Sequence, residues 1–359
     1  MESSFYLPLL KSKAGEFKAL AKLNPKLKNK IVPLFDITRM EYDHEEDAKP
    51  KTFEDHLQKF CKKVIKSWPT NPMFIDTTLV NTETVGKVPA IEYVYSELAK
   101  ENIYPMPVVY PNSSPEFISS IEDILLLYAV YEIAIRVTIE DITSSDFESN
   151  LNGILDRLEL SEDKCHVIFD LKDADFSQID DFSEGILEVL SDFPHFEKWK
   201  SFTLAGGAFP AMSKIKNETE LIPRNDWILF NTIVQRLKKT RINRPINFGD
   251  YSIVSAGYFE FNPKIMSTSA NIRYTHNDSW FVVKGKALKK SADWQQFYGQ
   301  ADKIVASKYY LGENFSAGDM HIQKCANRLT KTGNANVWIE VGTNHHFTKV
   351  IVDLFAKSA

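Results

Sequence analysis

Eight short apolar segments alternate with longer segments of helical periodicity along the first 250 residues. The apolar segments lie at residues 5–10, 31–37, 73–76, 106–110, 133–137, 166–170, 202–204 and 246–250. A segment of 4–8 apolar residues bounded by polar turns is typical of a buried strand, and the intervening spacing is typical of helices. Eight such repeats in about 250 residues predict an α/β fold, a (β/α)8 TIM-like barrel.

An open doubly wound sheet is the alternative architecture for alternating strands and helices. It predicts fewer strands and usually a glycine-rich phosphate-binding turn after the first strand. The sequence contains neither a GxGxxG nor a GxxxxGK[ST] motif. The pattern therefore favours the closed barrel.

The alternation of predicted strands and helices ends after residue 250. Residues 270–274 and 280–284 alternate between apolar and polar and flank the turn-forming sequence HNDS, which predicts a β-hairpin. A helix is expected at 293–307, and the chain ends with a helical stripe at 345–355. We predict a barrel core at 1–255, an inserted appendage with the hairpin and a helix at 256–340, and a terminal helix at 341–359 that completes the barrel.

Charge is distributed unevenly along the chain. The 359 residues carry a net charge of −5, yet residues 256–359 hold thirteen Lys and Arg against eight Asp and Glu. The overall acidity argues against a dedicated nucleic-acid-binding protein. One compact basic group consists of Lys284, Lys286, Lys289 and Lys290. We interpret this basic group as a solvated face.

The cysteines and the N-terminal sequence bear on the cellular compartment in which the protein is expected. Cys61, Cys165 and Cys325 are far apart and form no CxxC pair, which is typical of a reducing environment. The first residues, MESSFYLPLLKSK, lack the pattern of a secretion signal, and no apolar run is long enough to cross a bilayer. We expect a cytoplasmic protein without membrane partners.

Charged or phenolic side chains end nearly every predicted strand. Because catalytic groups of barrels lie at the C-terminal ends of strands, these residues form our candidate pocket: Lys11, Glu16, Asp36, Asp76, Tyr110, Arg136, Asp170, Asp250 and Tyr251. A buried charge is costly unless it is paired, so both signs at one barrel mouth indicate mutual pairing or a ligand.

Three hypotheses for this pocket stay open. The carboxylates could hold Mg²⁺ or Ca²⁺ for phosphoester chemistry, since hard cations prefer oxygen ligands. They could pair with Lys11 and Arg136 as a structural ionic network, or bind a small polar ligand without reaction. The sequence has no HExxH, GxSxG or HxxEH motif to fix a reaction.

A second group of polar residues lies near the C-terminus. It comprises Ser316–Asp319, His321 and the run VGTNHH at 341–346. In one interpretation Thr343 or Asn344 caps the final helix while the histidines bond nearby loops. In the other, His345 or His346 acts as a general acid or base beside the barrel aspartates. Arg273 and Tyr274 of the hairpin either reach the same mouth or lie on an outer face.

Four segments stand out for their resemblance to a known family: YLPLLKSKAGEFKAL…PKLKNKIVPLFDI, FGDYSIV, NIRYTHNDSWFVVKG and SAGDMHIQ…GNANVWIEVGTNHHFTKVIVDL. They resemble the bacterial and phage beta family proteins, named after the beta gene of a satellite phage's gop-beta-cII module. The resemblance runs from about Tyr6 to Leu354, and its most specific parts are the terminal GTNHH and the opening K-x-K-x-G-E. Positions where it coincides with the strand-end argument are Lys11, Glu16, Asp36, Asp250, Tyr251, Arg273, Asp319, His345 and His346.

The resemblance implies a barrel-like protein of prophages and antiphage defence islands. It further implies a toxin–antitoxin-like module in which a co-encoded partner is toxic and this protein restrains it. No catalytic reaction comes with the resemblance. Our leading hypothesis is therefore a regulator that acts through protein–protein interaction. The alternative is an enzyme, a metal-assisted phosphodiesterase or nucleotide hydrolase using Mg²⁺, or else a nucleotide sensor, at the carboxylates of the mouth.

Overall fold

Eight parallel strands close into a barrel in the computed structural model of the chain. The structure describes residues 4–40, 52–242, 244–257, 269–288 and 293–355. Most of the charged segment at 39–51, which we expected to be a solvated loop, lies outside the described residues, as do Lys289 and Lys290 of the basic group.

The strands and helices follow the alternation of the sequence. In chain order the strands are β1 (Leu7–Leu10), β2 (Leu34–Asp36), β3 (Phe74–Asp76), β4 (Thr84–Val85), β5 (Val88–Pro89), β6 (Met106–Val109), β7 (Ile133–Val137), β8 (Cys165–Asp170), β9 (Ser201–Gly206), β10 (Thr219–Pro223), β11 (Asn247–Asp250), β12 (Ser269–His276) and β13 (Ser279–Ala287). The helices are α1 (Ala14–Ala21), α2 (Phe53–Ser67), α3 (Ala90–Ala99), α4 (Pro115–Tyr128), α5 (Ile139–Ile142), α6 (Phe147–Leu158), α7 (Ile179–Asp192), α8 (Asn225–Leu237), α9 (Gln296–Val305), α10 (Ala317–Ala326) and α11 (Ala335–Phe355).

The barrel closes in the order β1-β11-β9-β8-β7-β6-β3-β2, with β2 paired to β1. The predicted (β/α)8 barrel is therefore confirmed. Its strands are short and nearly all apolar because both faces of a parallel sheet are covered. In β7, the sequence IAIRV is buried at every position, so its arginine is a polar residue in an apolar strand. The register places Asp36 beside Asp76 at the ends of β2 and β3.

The chain divides into two compact units. The first comprises residues 1–12, 30–207 and 225–250, and it contains the barrel strands. The second comprises residues 13–29, 208–224 and 251–359. This division differs from the predicted boundary at 255, since α1 and β10 group with the C-terminal part. That the terminal helix completes the barrel stays a prediction.

The second unit is built on a three-stranded antiparallel sheet in the order β10-β13-β12. The predicted hairpin is confirmed by the pairing of β12 with β13, in which Tyr274 lies opposite Phe281. The third strand, β10, was missed by the sequence analysis, and it pairs Leu221 with Phe281. The core of this sheet includes the buried aromatic residues Tyr274, Phe297 and Trp338.

The terminal helix corrects one prediction. It begins at Ala335, so Thr343 and Asn344 lie in its interior and cap nothing, and both histidines are mid-helix residues. Gly342 lies inside this helix and allows close packing. A Cβ atom there would lie 2.8 Å from Ile253 Cδ1 and 2.9 Å from the Arg273 carbonyl oxygen. Across the described ranges, the structure contains no helix long and apolar enough to cross a membrane.

Candidate functional site at the barrel mouth

One guanidinium holds three carboxylates at the C-terminal ends of the barrel strands. Arg136 Nη1 donates to Asp36 Oδ1 at 2.7 Å and to Asp76 Oδ2 at 2.8 Å. Its Nε and Nη2 both donate to Asp170 Oδ2, at 3.0 and 2.7 Å. The four side chains are 0–14% exposed, so this cluster, the mouth network, is shielded from solvent. Four of our predicted site residues are thus brought together.

Further donors hold the same carboxylates. Tyr110 Oη donates to Asp76 Oδ2 at 2.7 Å, and the Thr78 amide donates to Asp76 Oδ1 at 2.9 Å. The Lys172 amide donates to Asp170 Oδ1 at 2.9 Å. Charge-assisted bonds of this kind are shorter and stronger than neutral ones. They fix the orientation of Asp76 and Asp170 in addition to their pairing with Arg136.

The mouth network carries more negative than positive charge. Burial raises the pKa of Asp36 from 3.8 to about 6; Arg136 opposes this shift, while Asp76 and Asp170 add to it. Burial also raises the pKa of Tyr110 well above its usual value, so its phenol stays protonated and can donate to Asp76. Asp36 is therefore the carboxylate of the cluster that takes up a proton in mildly acidic solution.

The geometry bears on the metal hypothesis. Within the part of the chain that the structure describes, no group of three or more His, Cys, Asp or Glu side chains is placed to hold a metal ion. Asp36, Asp76 and Asp170 instead direct oxygens at the Arg136 guanidinium. This arrangement matches the ionic-network hypothesis more closely than a set of metal ligands.

The other strand-end residues have different surroundings. Asp250 Oδ1 accepts a hydrogen bond from Tyr6 Oη, and Lys11 is half-buried directly after β1. In the second unit, Tyr251 is buried. Glu16 Oε2 accepts from the Lys13 amide at 2.9 Å and so satisfies the backbone donor at the N-cap of α1. Glu16 therefore has a local structural partner in its own helix.

A cleft of about 580 Å³ lies on the loops that follow β3, β6, β7 and β8. Its lining residues are mainly hydroxyl, amide and charged side chains: Thr78, Asn81, Thr82, Pro89, Tyr110, Asn112, Ser113, Ser114, Glu116, Phe117, Ser120, Thr138, Glu140, Asp141 and Lys172. Tyr110, Thr78 and Lys172 line it and also bond the mouth network. The cleft therefore adjoins the buried charges of the mouth network.

Lys172 at the rim of the cleft has a strained backbone. Its φ of 51° lies in the left-handed region, which disfavours residues other than glycine. The conformation is held by the bond from its amide to Asp170 and by the Gly207 amide, which donates to its carbonyl oxygen at 2.7 Å. Strain of this kind is typical of functional loops in which the surrounding structure fixes the backbone.

The C-terminal motifs form a buried network in the second unit. His345 Nδ1 lies 2.8 Å from Asp319 Oδ2, and its Nε2 lies 2.8 Å from the Thr275 carbonyl oxygen. Both partners accept hydrogen bonds, so the arrangement is satisfied by a doubly protonated, charged imidazole. Tyr274 stacks on this ring with centroids 3.9 Å apart and donates to Asp319 Oδ1 at 2.7 Å. With both ring nitrogens engaged, His345 has no nitrogen that can serve as a general base here.

Asp319 is held in its charged form. Burial acts to raise its pKa, but the charge of His345 and hydrogen bonds from His345, Ser316 and Tyr274 bring the pKa below its usual value. Ser316 Oγ also accepts from the Asp319 amide and so caps α10. The SAGD motif thus joins a helix start to a buried ion pair.

The remaining predicted residues have structural contacts. His346 Nδ1 lies 2.8 Å from Thr275 Oγ1. Arg273 donates to the Ile253 carbonyl oxygen at 2.6 Å, and burial lowers its pKa to about 10. His321 packs edge-on against Trp338, and burial lowers its pKa. Sequence reasoning grouped these residues by proximity along the chain, and the structure gives them packing roles in one unit.

Three residues of the mouth escaped the sequence analysis. Tyr6, Thr78 and Lys172 bond Asp250, Asp76 and Asp170, respectively. For Thr78 and Lys172 a signal existed, because each lies two residues after a strand-end aspartate, the spacing at which an Asp side chain bonds a backbone amide. Nothing in the sequence pointed to Tyr6.

A family model described as Beta protein matches residues 6–352, which is nearly the whole chain. No curated protein matches the chain.

Proposed function

Because the chain belongs to the Beta protein family, whose model spans residues 6–352, we propose that it is a regulatory component of an antiviral defence module of the toxin–antitoxin type. It acts by binding a co-encoded partner protein and restraining that partner's toxicity. The observation that carries a binding role, as opposed to a catalytic one, is the closed mouth network around Arg136.

A hydrolase needs carboxylates that are able to reach a metal ion, a water molecule or the substrate. Oxygens of Asp76 and Asp170 accept bonds from the guanidinium, a phenol and two backbone amides. Such a network makes a rigid scaffold for the surface above it.

One observation favours an enzyme as the second candidate. Asp36 is 14% exposed and has a pKa of about 6, which suits a general acid near neutral pH. Under this candidate the protein is a phosphodiesterase or nucleotide hydrolase of the defence module, and Asp36 is its proton donor. The binding hypothesis is preferred because Asp36 also bonds Arg136.

The experiment compares cells that carry the native operon with and without this gene. We expect that deletion makes the co-encoded partner toxic and removes protection against phage, measured by colony counts and by efficiency of plating. A plasmid copy should restore both phenotypes, and the matched control is the same plasmid with its start codon destroyed. Unchanged viability and unchanged plating after deletion would contradict the proposed function.

A further inference from the structure

Helix α4 exposes large apolar side chains where an amphipathic helix normally carries polar ones. Its buried face is formed by Phe117, Ile121 and Ile124. On the other side, Leu126 is 82% exposed and Leu127 is 72% exposed, and Tyr131 just beyond the helix is 69% exposed. Large apolar side chains scattered singly on a surface are ordinary, but a group of them marks an interaction site.

Tyr104 extends this surface across the neighbouring loop. It is 49% exposed, and its ring lies 6.3 Å from that of Tyr128, the last residue of α4. The Tyr128 ring lies in turn 5.7 Å from that of the buried Tyr95 in α3. The surface is therefore supported from below by packed aromatic rings. We name Tyr104, Leu126, Leu127 and Tyr131 the tyrosine–leucine patch.

The border of the patch is acidic. Asp123 lies three and four residues before the two leucines, which places it beside them on the helix surface, and Glu101 lies three residues before Tyr104. Both carboxylates are exposed, and the described residues provide neither with an ion-pair partner. Other charges nearby are already paired, Lys100 with Glu97 and Arg157 with Glu122.

We propose that the tyrosine–leucine patch is the docking surface for the partner protein, which presents an apolar face bordered by Lys and Arg side chains. The inference rests on the proposed function, since it assigns the surface through which that partner is bound. Tyrosine is enriched at the cores of protein interfaces, and buried leucines supply apolar area there. The acidic border matches a basic partner and speeds its association.

A second copy of this chain is a poorer occupant. In a two-fold contact each patch would meet its own copy, so the acidic borders would face each other. Like charges placed together at an interface are unfavourable. Charge thus selects a basic partner over self-association.

The test measures binding of the full chain to the purified product of the neighbouring gene by isothermal titration calorimetry. The double variant Leu126→Glu, Leu127→Glu should bind at least about tenfold more weakly, because truncating or charging a buried anchor removes a dominant contact. The matched control is Leu329→Glu in the second unit, where the leucine is 74% exposed, and it should bind like the wild type. Asp123→Lys should weaken binding in low salt and change it little in high salt.

The outcomes separate the inference from the proposed function. Equal binding by wild type and the double variant, with both folded by circular dichroism, would overturn the docking surface and leave the proposed function standing. A wild-type chain that binds no co-encoded protein would defeat the proposed function itself. Light scattering that shows a dimer in wild type and a monomer in the double variant would assign the patch to a second copy and overturn the proposal.

Discussion

Replacing Arg136 with methionine should destabilise the protein by about 4 kcal/mol at pH 7. Methionine has a similar volume but carries no charge, so Asp36, Asp76 and Asp170 would lose their shared guanidinium. Removing one partner of a buried ion pair costs about 3–5 kcal/mol, because it leaves a buried charge without compensation.

The loss should also depend on pH. The variant can relieve the repulsion by keeping one of the three carboxylates protonated. Protonating an Asp with an ordinary pKa of 3.8 costs about 1.4 kcal/mol less for each pH unit by which the pH falls towards 3.8. The loss of stability should therefore be smaller at pH 5 than at pH 7.

Urea unfolding followed by tryptophan fluorescence at pH 5 and pH 7 measures both quantities. The control is Arg157→Met, which breaks a surface pair in which both side chains are more than a third exposed, and it should cost at most about 1 kcal/mol. A loss below about 1 kcal/mol for Arg136→Met, or a loss equal at the two pH values, would refute the buried network as the source of stability.

Two further predictions concern Asp36 and Gly318. The folded-state pKa of Asp36 is raised, so its contribution to stability is complete below pH 3.8 and is lost as the pH rises through 6. Between pH 4 and pH 7 the wild type should lose about 2 kcal/mol relative to Asp36→Asn in urea unfolding. If the two proteins lose stability in parallel over this range, the raised pKa is wrong. Gly318→Ala places a Cβ atom 2.3 Å from the Val341 carbonyl oxygen, so it should lower the free energy of unfolding by about 1–3 kcal/mol. The control is Gly153→Ala in helix α6, where a Cβ atom meets open space. This control should leave the stability unchanged or raise it by up to about 1 kcal/mol. Thermal unfolding distinguishes the two glycines, and equal shifts in Tm would contradict the close packing of α10 on α11.

The barrel could be predicted because its strands are short, apolar and regularly separated by amphipathic helices. The convergence of Asp36, Asp76, Arg136 and Asp170 also followed from chemistry, since parallel strands bring their C-terminal ends to one face. What the sequence left open was the choice between metal ligands and an ion network. That choice depends on which carboxylate oxygen faces which donor. The spacing of apolar residues in the sequence predicts the strands, but it does not predict the contacts between side chains of different strands.

The C-terminal part was harder because its contacts span long separations in sequence. Asn344 bonds the Ala19 carbonyl oxygen, and β10 pairs with a strand some sixty residues later. Gly342 and Gly318 both allow close approach of one backbone to another. The motif GTNHH indicated a helix boundary where the fold has a continuous helix.

Efficiency of plating of phage on cells that carry Asp36→Asn in the native operon tests the central claim most directly. The claim is that the mouth network is a structural ion network and performs no proton transfer. The account predicts plating equal to that of the wild-type operon, since asparagine keeps the volume of Asp36 and an oxygen that can accept from Arg136, while it removes the charge and the acid. Loss of protection by a folded variant that still binds the co-encoded partner would contradict it and establish Asp36 as a catalytic acid.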